Sequence, residues 1–197
     1  MSEPAPARLR LVNRHTGEVL ELLRRRHDGE LLLDLRGTLP ARREGPPRHI
    51  HHLEDEVGTV TAGTLSAEVG GQRIDAGPGQ SVRLPRGVPH RWWNEGDVPL
   101  AFEGQVRPVA DLDRYLQAIF EVMNAGPRNR PPLFYLAHAA LRHRRTQTVL
   151  VMSRPLQAVV FRVAVVLGTL LGRFRGDQWP GCPTRCVGAP TVDSADG

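Results

Sequence analysis

From residue 8 to residue 108 the apolar residues come in short runs separated by turn signals. Residues 19–24 and 30–35 flank His27-Asp28-Gly29, a hairpin pattern in which glycine supplies backbone that other residues resist. A Pro/Arg loop covers 40–47, and 48–52 is short and extended. Residues 57–62 and 64–69 meet at Gly63, and Gly70-Gly71 and Gly77-Pro78-Gly79 mark two more turns. Residues 80–84, 90–94 and 100–106 complete the series. Many short strands at this spacing predict an all-β sandwich or barrel.

The period changes at Asp111. Leu112, Tyr115, Leu116, Ile119, Phe120 and Met123 recur at helical spacing, with Asp111 placed to cap the helix and Gly126-Pro127 to end it. A second helix is expected from Pro132, burying Leu133, Leu136, Ala137, Ala140 and Leu141. A third starts at Pro155, since proline suits a first helical turn. Its wide apolar face holds Leu156, Val159, Val160, Val163, Val166, Leu167, Leu170, Leu171 and Phe174, and Ala158, Arg162, Thr169 and Arg173 share the other side. Arg154, Pro155 and Arg162 interrupt the stretch as a membrane span. This face is expected to pack against the barrel or a second copy in a homodimer, with membrane-surface association as the alternative. The domain plan is therefore a β-domain over 8–110, a helical extension over 111–175 and a disordered tail over 176–197.

Charge sharpens this division. Residues 1–110 hold 15 arginines and 15 acids, whereas 111–197 hold 11 arginines and 6 acids, which accounts for the net +5. There is no lysine, and no acid lies between Met123 and Gly176. The basic part reads first as a solvated arginine surface. No helix-turn-helix segment is recognisable, which argues against a nucleic acid partner. Cys182 and Cys186 alone make a weak zinc signal and require no oxidising compartment. The first ten residues have no apolar stretch of signal-peptide type, so a cytoplasmic location is expected.

The chemistry lies in two stretches. Gly79, Pro85, Gly87, His90 and Asn94 fit G-x5-P-x-G-x2-H-x3-N at every fixed position. Upstream, His49, His51, Glu56 and Gly63 fit H-x-H-x4-E-x6-G. With these two motifs the chain resembles the cupin superfamily, over about half its length. The usual leading glycine is displaced: Gly45 stands four residues before His49, with Pro46-Pro47 filling the gap. The resemblance implies a mainly β fold, a double-stranded β-helix (jelly-roll-like) barrel followed by C-terminal α-helices. It also implies one divalent transition metal on His49, His51, Glu56 and His90.

Strand geometry agrees with that set. His49 and His51 are two apart, so both can face one barrel interior while His52 faces out. Glu56 lies beyond a bend, and the Pro85-Arg86-Gly87 turn delivers His90 from a later strand. Glu54 and Asp55 are read as solvated turn acids. Three imidazoles and a carboxylate suit Fe(II) or Mn(II), with Ni, Co or Zn as alternatives, and leave positions open for a ligand. Trp92 shares the parity of His90 and is either a pocket residue or a core aromatic. Asn94 is a candidate pocket residue, but it is read first as a side chain that ties down backbone. Gly58 stands where the family often carries an aromatic, and with Val60 on the same face it predicts a roomy pocket.

The resemblance implies a metal-dependent enzyme, dioxygenase- or lyase-like, acting on a small organic molecule. The alternative is a non-catalytic metal-containing module that binds or senses a small molecule. A sugar-nucleotide isomerase fits less well, because there is no lysine and Tyr115 and Tyr135 are expected outside the barrel.

Overall fold

The computed structural model describes residues 8–127, 129 and 131–174. The expected tail, Cys182 and Cys186 lie outside the described residues, as does the start of the chain. The strands are β1 (Arg8–Val12), β2 (Val19–His27), β3 (Glu30–Leu39), β4 (Arg43–Glu44), β5 (His49–His51), β6 (Asp55–Ala62), β7 (Leu65–Val69), β8 (Gln72–Ala76), β9 (Ser81–Leu84), β10 (His90–Asn94) and β11 (Leu100–Arg107). They are followed by α1 (Leu112–Ala125), α2 (Leu133–Arg142), β12 (Gln147–Val149) and α3 (Arg154–Leu170).

Two antiparallel sheets face each other. One runs β1-β2-β3-β11-β6-β9; the other runs β12-β5-β10-β7-β8, with β4 also paired to β10. Alternation along the strands fills the space between them: Leu20 and Leu22 of β2, Leu33 and Leu35 of β3, Val82 and Leu84 of β9, and Phe102 and Val106 of β11 are buried. Gly63 lies in the left-handed region at φ +74°, where a Cβ would sit 2.5 Å from the Pro99 carbonyl oxygen, so the β6–β7 turn is closed to other residues.

The barrel core continues into α1, whose Leu112, Tyr115 and Phe120 pack against it. Asp111 precedes α1 but does not cap it. Its carboxylate accepts a hydrogen bond from His143 Nδ1 at 2.7 Å, tying the start of α1 to the end of α2. The segment after Asp111 is also not purely helical. Residues 147–149 form β12, which adds a strand beside β5 with Gln147 opposite His51 and Val149 opposite His49.

The third helix does not lay its apolar face on the barrel, one of the two partners expected for it. It begins as expected, but Leu156, Val159, Val163, Val166, Leu167 and Leu170 are exposed, Leu170 to 76%. The buried face is Gln157, Phe161, Ala164 and Gly168. Polar anchoring decides the orientation: Gln157 Nε2 donates to the Val149 carbonyl at 2.7 Å, and Gln157 Oε1 accepts from the Val151 amide at 3.2 Å. With Gln157 turned inward, Phe161, Ala164 and Gly168 follow on the same face and pack near Ala137 and Val149. Leu133, expected to be buried on α2, is 49% exposed, and the fully buried positions of α2 are Ala137 and Ala139. No helix among the described residues is long and apolar enough to cross a membrane.

This orientation gives a direct stability test. Phe161→Ala is expected to lower unfolding free energy by about 3–5 kcal/mol, as large-to-small core changes do. Val163→Ser on the outward face is expected to change it by less than about 0.5 kcal/mol. Urea unfolding of the two variants checks the order, and a larger loss in Val163→Ser would place the apolar face in a packed interface.

Candidate metal centre and cavity

Three imidazoles converge inside the barrel. His49, His51 and His90 each offer a ring nitrogen, all within 4.8 Å of one another, and their ring centroids are 4.4–5.0 Å apart. Strand pairing brings them together. His90 of β10 lies opposite His49 of β5, and His51 is two residues on.

The approach to His90 is held at both ends. Gly87 takes φ +76°, a left-handed value suited to glycine, and its amide donates to the His51 carbonyl at 2.7 Å. The Arg86 amide and guanidinium both donate to Asp55. Asp55 is thus a half-exposed turn acid that fastens the Pro85-Arg86-Gly87 turn to the start of β6.

Hydrogen bonding fixes two tautomers. Nδ1 of His49 lies 2.8 Å from the Pro47 carbonyl oxygen, and Nδ1 of His90 lies 2.9 Å from that of Val88. A carbonyl oxygen can only accept, so in both rings Nδ1 carries the proton and Nε2 keeps its lone pair. Nε2 of His90 and Nδ1 of His51 are buried without a hydrogen-bond partner among the described residues. Burial pushes the His49 pKa down to about 3 and that of His51 to about 2, and lowers that of His90. All three rings are therefore neutral near pH 7 and available as nitrogen ligands.

Glu56 stands beside them, with Oε2 4.0 Å from His51 Nε2. Burial, with a contribution from the Glu54 charge, raises its pKa to about 7. Orphaned imidazole nitrogens beside a desolvated carboxylate form a donor set that fits a divalent transition ion.

Glu54 is not a solvated acid. It is fully buried. Its Oε1 accepts from the amides of Ala110 at 2.9 Å and Leu112 at 3.3 Å, and its Oε2 accepts from Gln147 Nε2 at 2.5 Å. His52 faces outward to Thr148 Oγ1 at 2.8 Å.

A cavity of about 710 Å³ opens from His49, His51 and Glu56 and extends beneath α1. Trp92 and Phe102 line it and meet edge to face at 5.1 Å between centroids. Tyr115, Ile119 and Met123 line its helical side. Tyr115, expected outside the barrel, therefore faces the cavity, and burial raises its pKa. Its place in the helical repeat gave only a core position. Gly58 lies in a small adjoining space with Glu56 and Trp92, and a Cβ there would meet nothing within 4 Å. Val60 and Asn94 do not line either space. Val60 is packed in the core, and Asn94 Nδ2 donates to the carbonyls of Leu39, Pro40 and Val98.

Sequence reasoning did not single out Glu18. It lines the cavity with only 7% exposure, and burial raises its pKa to about 7. No signal in the local pattern marks it, because a lone glutamate before a strand is ordinary.

Residues 35–103 match the family model of the cupin domain. With two facing antiparallel sheets and both motifs in place, this barrel is a cupin domain. Among curated proteins none matches the chain. Of solved structures, KdgF from Halomonas sp. is 17% identical with a TM-score of 0.41, the match covering 49% of this chain and 84% of that one. A sugar phosphate isomerase of the cupin superfamily from Silicibacter pomeroyi DSS-3 is 25% identical, with a TM-score of 0.37 and coverage of 44% and 58%. The DMSP lyase DddQ from Ruegeria pomeroyi DSS-3 is 28% identical, with a TM-score of 0.36 and coverage of 42% and 40%. The chain thus spans little more than half of that isomerase and less than half of that lyase.

The raised pKa of Glu18 has a thermodynamic consequence with a definite sign. In the unfolded chain the group loses its proton near the ordinary 4.5, but in the folded chain it does so only near 7. Between those values the folded state holds the extra proton, so stability falls as pH rises through the window and stays lowered above it. Glu18→Gln removes this loss. The variant is expected to gain on the order of 3 kcal/mol relative to wild type at pH 8 compared with pH 4.5. Urea unfolding at the two pH values checks it, and an equal difference at both would show that burial does not perturb Glu18.

Proposed function

We propose that His49, His51, Glu56 and His90 hold one divalent transition metal, Fe(II) or Mn(II), and that the protein is a metal-dependent enzyme acting on a small organic molecule in the adjoining cavity. The observation that carries this reading is the pair of fixed tautomers: His49 and His90 are each locked by a backbone carbonyl with Nε2 unprotonated. Outer hydrogen bonds of this kind set the orientation and basicity of metal-binding histidines.

The ion, when bound, supplies Lewis acidity and open positions for an oxygen-donor ligand. The residues supply the rest. Glu56 contributes the negative charge, and a cation beside it reverses the rise in its pKa. Trp92 and Phe102 wall the site and exclude water, which strengthens the electrostatics inside. The donor set suits dioxygenase-like or lyase-like chemistry.

A second reading is a non-catalytic module that binds or senses its ligand. It draws on the largely apolar cavity wall, where Leu20, Leu35, Trp92 and Phe102 offer packing surface to a bound molecule.

Metal analysis of the purified protein tests the first reading. Wild type is expected to carry close to one ion per chain, and His51→Ala with His90→Ala at least about tenfold less. Unchanged metal content in that double variant rejects the site. Oxygen-consumption and product screening then tests the chemistry. Chelation is expected to abolish turnover, and Fe(II) or Mn(II) to restore it better than Ca(II), since imidazole favours transition metals. Full turnover in the stripped protein leaves the binding module as the better account.

A further inference from the structure

The cavity has two chemically distinct ends. One lies at the imidazoles, beside the start of α1: the Leu112 amide bonds to Glu54, which also holds Gln147, the partner of His51 across the strands. The other lies at the end of α1. There the Asn124 side chain donates to the Val12 carbonyl at 2.8 Å, the Arg14 amide donates to Asn124 Oδ1 at 2.9 Å, and the Arg14 guanidinium donates to the Gly126 carbonyl at 2.9 Å. Glu18 belongs to this second end, since its own carbonyl accepts from the Asn13 amide at 2.9 Å. Between the ends the lining follows the inner face of α1 from Leu112 to Met123, a span of roughly 17 Å at helical rise.

Glu18 is the anomaly. It is 93% buried, as its 7% exposure shows, and its carboxylate has no hydrogen-bond or ion-pair partner among the described residues. Asn13, Thr16 and Asn129 line the same end, and their side-chain oxygens already accept hydrogen bonds from within the chain, which leaves the Glu18 carboxylate as the free acceptor there among the described residues. Buried carboxylates are ordinarily paired, and a leucine or glutamine would fill the space at lower cost. A carboxylate turned into a cavity without a protein partner is placed to meet a ligand.

We propose that the cavity is a channel for an elongated, largely apolar molecule, with an oxygen-donor group at the His49, His51 and Glu56 end and a protonated amine donating to Glu18 at the other. The first half rests on the metal-centre reading; the second rests on Glu18 alone. The apolar middle, from Leu116 through Phe120, holds the chain between them by burial. A ligand amine restores the ionised form of Glu18, which burial otherwise disfavours.

Calorimetric titration at pH 8 with two probes of equal carbon number tests the assignment: 12-aminododecanoate, with an ammonium end, and dodecanedioate, with a second carboxylate in its place. In Mn(II)-loaded wild type the amino probe is expected to bind about tenfold tighter or more, through a charge-assisted bond. In Glu18→Gln, a variant expected to fold at least as stably, the preference is expected to fall to about twofold or less. Ile119→Trp, in mid-channel, is expected to weaken both probes without changing metal content. Equal binding of the two probes to wild type overturns the proposal, and so does a preference that survives Glu18→Gln. Repeating the titrations on chelator-stripped wild type separates the two ends. If stripping weakens both probes and the ammonium preference persists, both halves stand. If affinities do not change on stripping while the preference persists, the metal contact at the first end fails and the Glu18 assignment stands.

Discussion

The carboxylate of Glu54 is the contact on which the site depends. It is fully buried at the corner between β5 and β6 and gathers three donors from distant parts of the chain: two amides at the start of α1 and the side chain of Gln147 on β12. A helix start has unpaired amides, and a negative charge there is favoured by both hydrogen bonding and the helix dipole. One side chain next to the candidate metal ligands therefore sets where α1 begins. Because α1 begins there, its apolar face lies over the open end of the barrel and turns a shallow mouth into a deep cavity. Burial raises the pKa of Glu54, while the two amides and Gln147 favour its ionised form.

The imidazole cluster follows the same logic of distant fastening. β5 pairs with β12 on one side and β10 on the other, so the strand carrying His49 and His51 is interior to its sheet. The turn before His90 is tied to the His51 carbonyl through Gly87 and to β6 through Asp55. Each ligand strand is thus positioned by a neighbouring ligand strand. Rotamers held this way lose little freedom on binding an ion, which is what a preorganised site requires.

The parts that were legible in the sequence are those whose signal is local. His49 and His51 show their shared face through a two-residue period, and Pro85-Arg86-Gly87 announces the turn that delivers His90. The barrel strands were legible for the same reason, and β10 runs over 90–94 as expected. The misreadings share the opposite property. Glu54 looked like one of two turn acids because its partners lie 56, 58 and 93 residues away. Tyr115 lies outside the barrel strands on the apolar face of α1, as expected, but the helical pattern tells which face is apolar, not that this face covers a cavity. On α3 the apolar stripe was read as a stripe, but within the chain it does not pack on the barrel: the inward Gln157, bonded to β12, turns the face of Phe161 and Ala164 inward instead. Glu18 carried no local signal; only the closing of the cavity around it gives it meaning.

The cavity is the place where this fold gives up stability. Glu18 and Glu56 are both desolvated acids whose pKa values rise to about 7, and neither has a cation among the described residues. A core selected for stability alone would replace them with apolar groups, as burial of unpaired carboxylates is costly. They sit instead along the same large cavity, at positions set by different elements: the end of the β1–β2 turn and the start of β6. Two independent costs at two ends of a single cavity have a common explanation in what fills it. An ion at one end and a cationic group at the other would each convert a destabilising charge into a paired one. On that basis ligand occupancy and fold stability are coupled through the same two side chains.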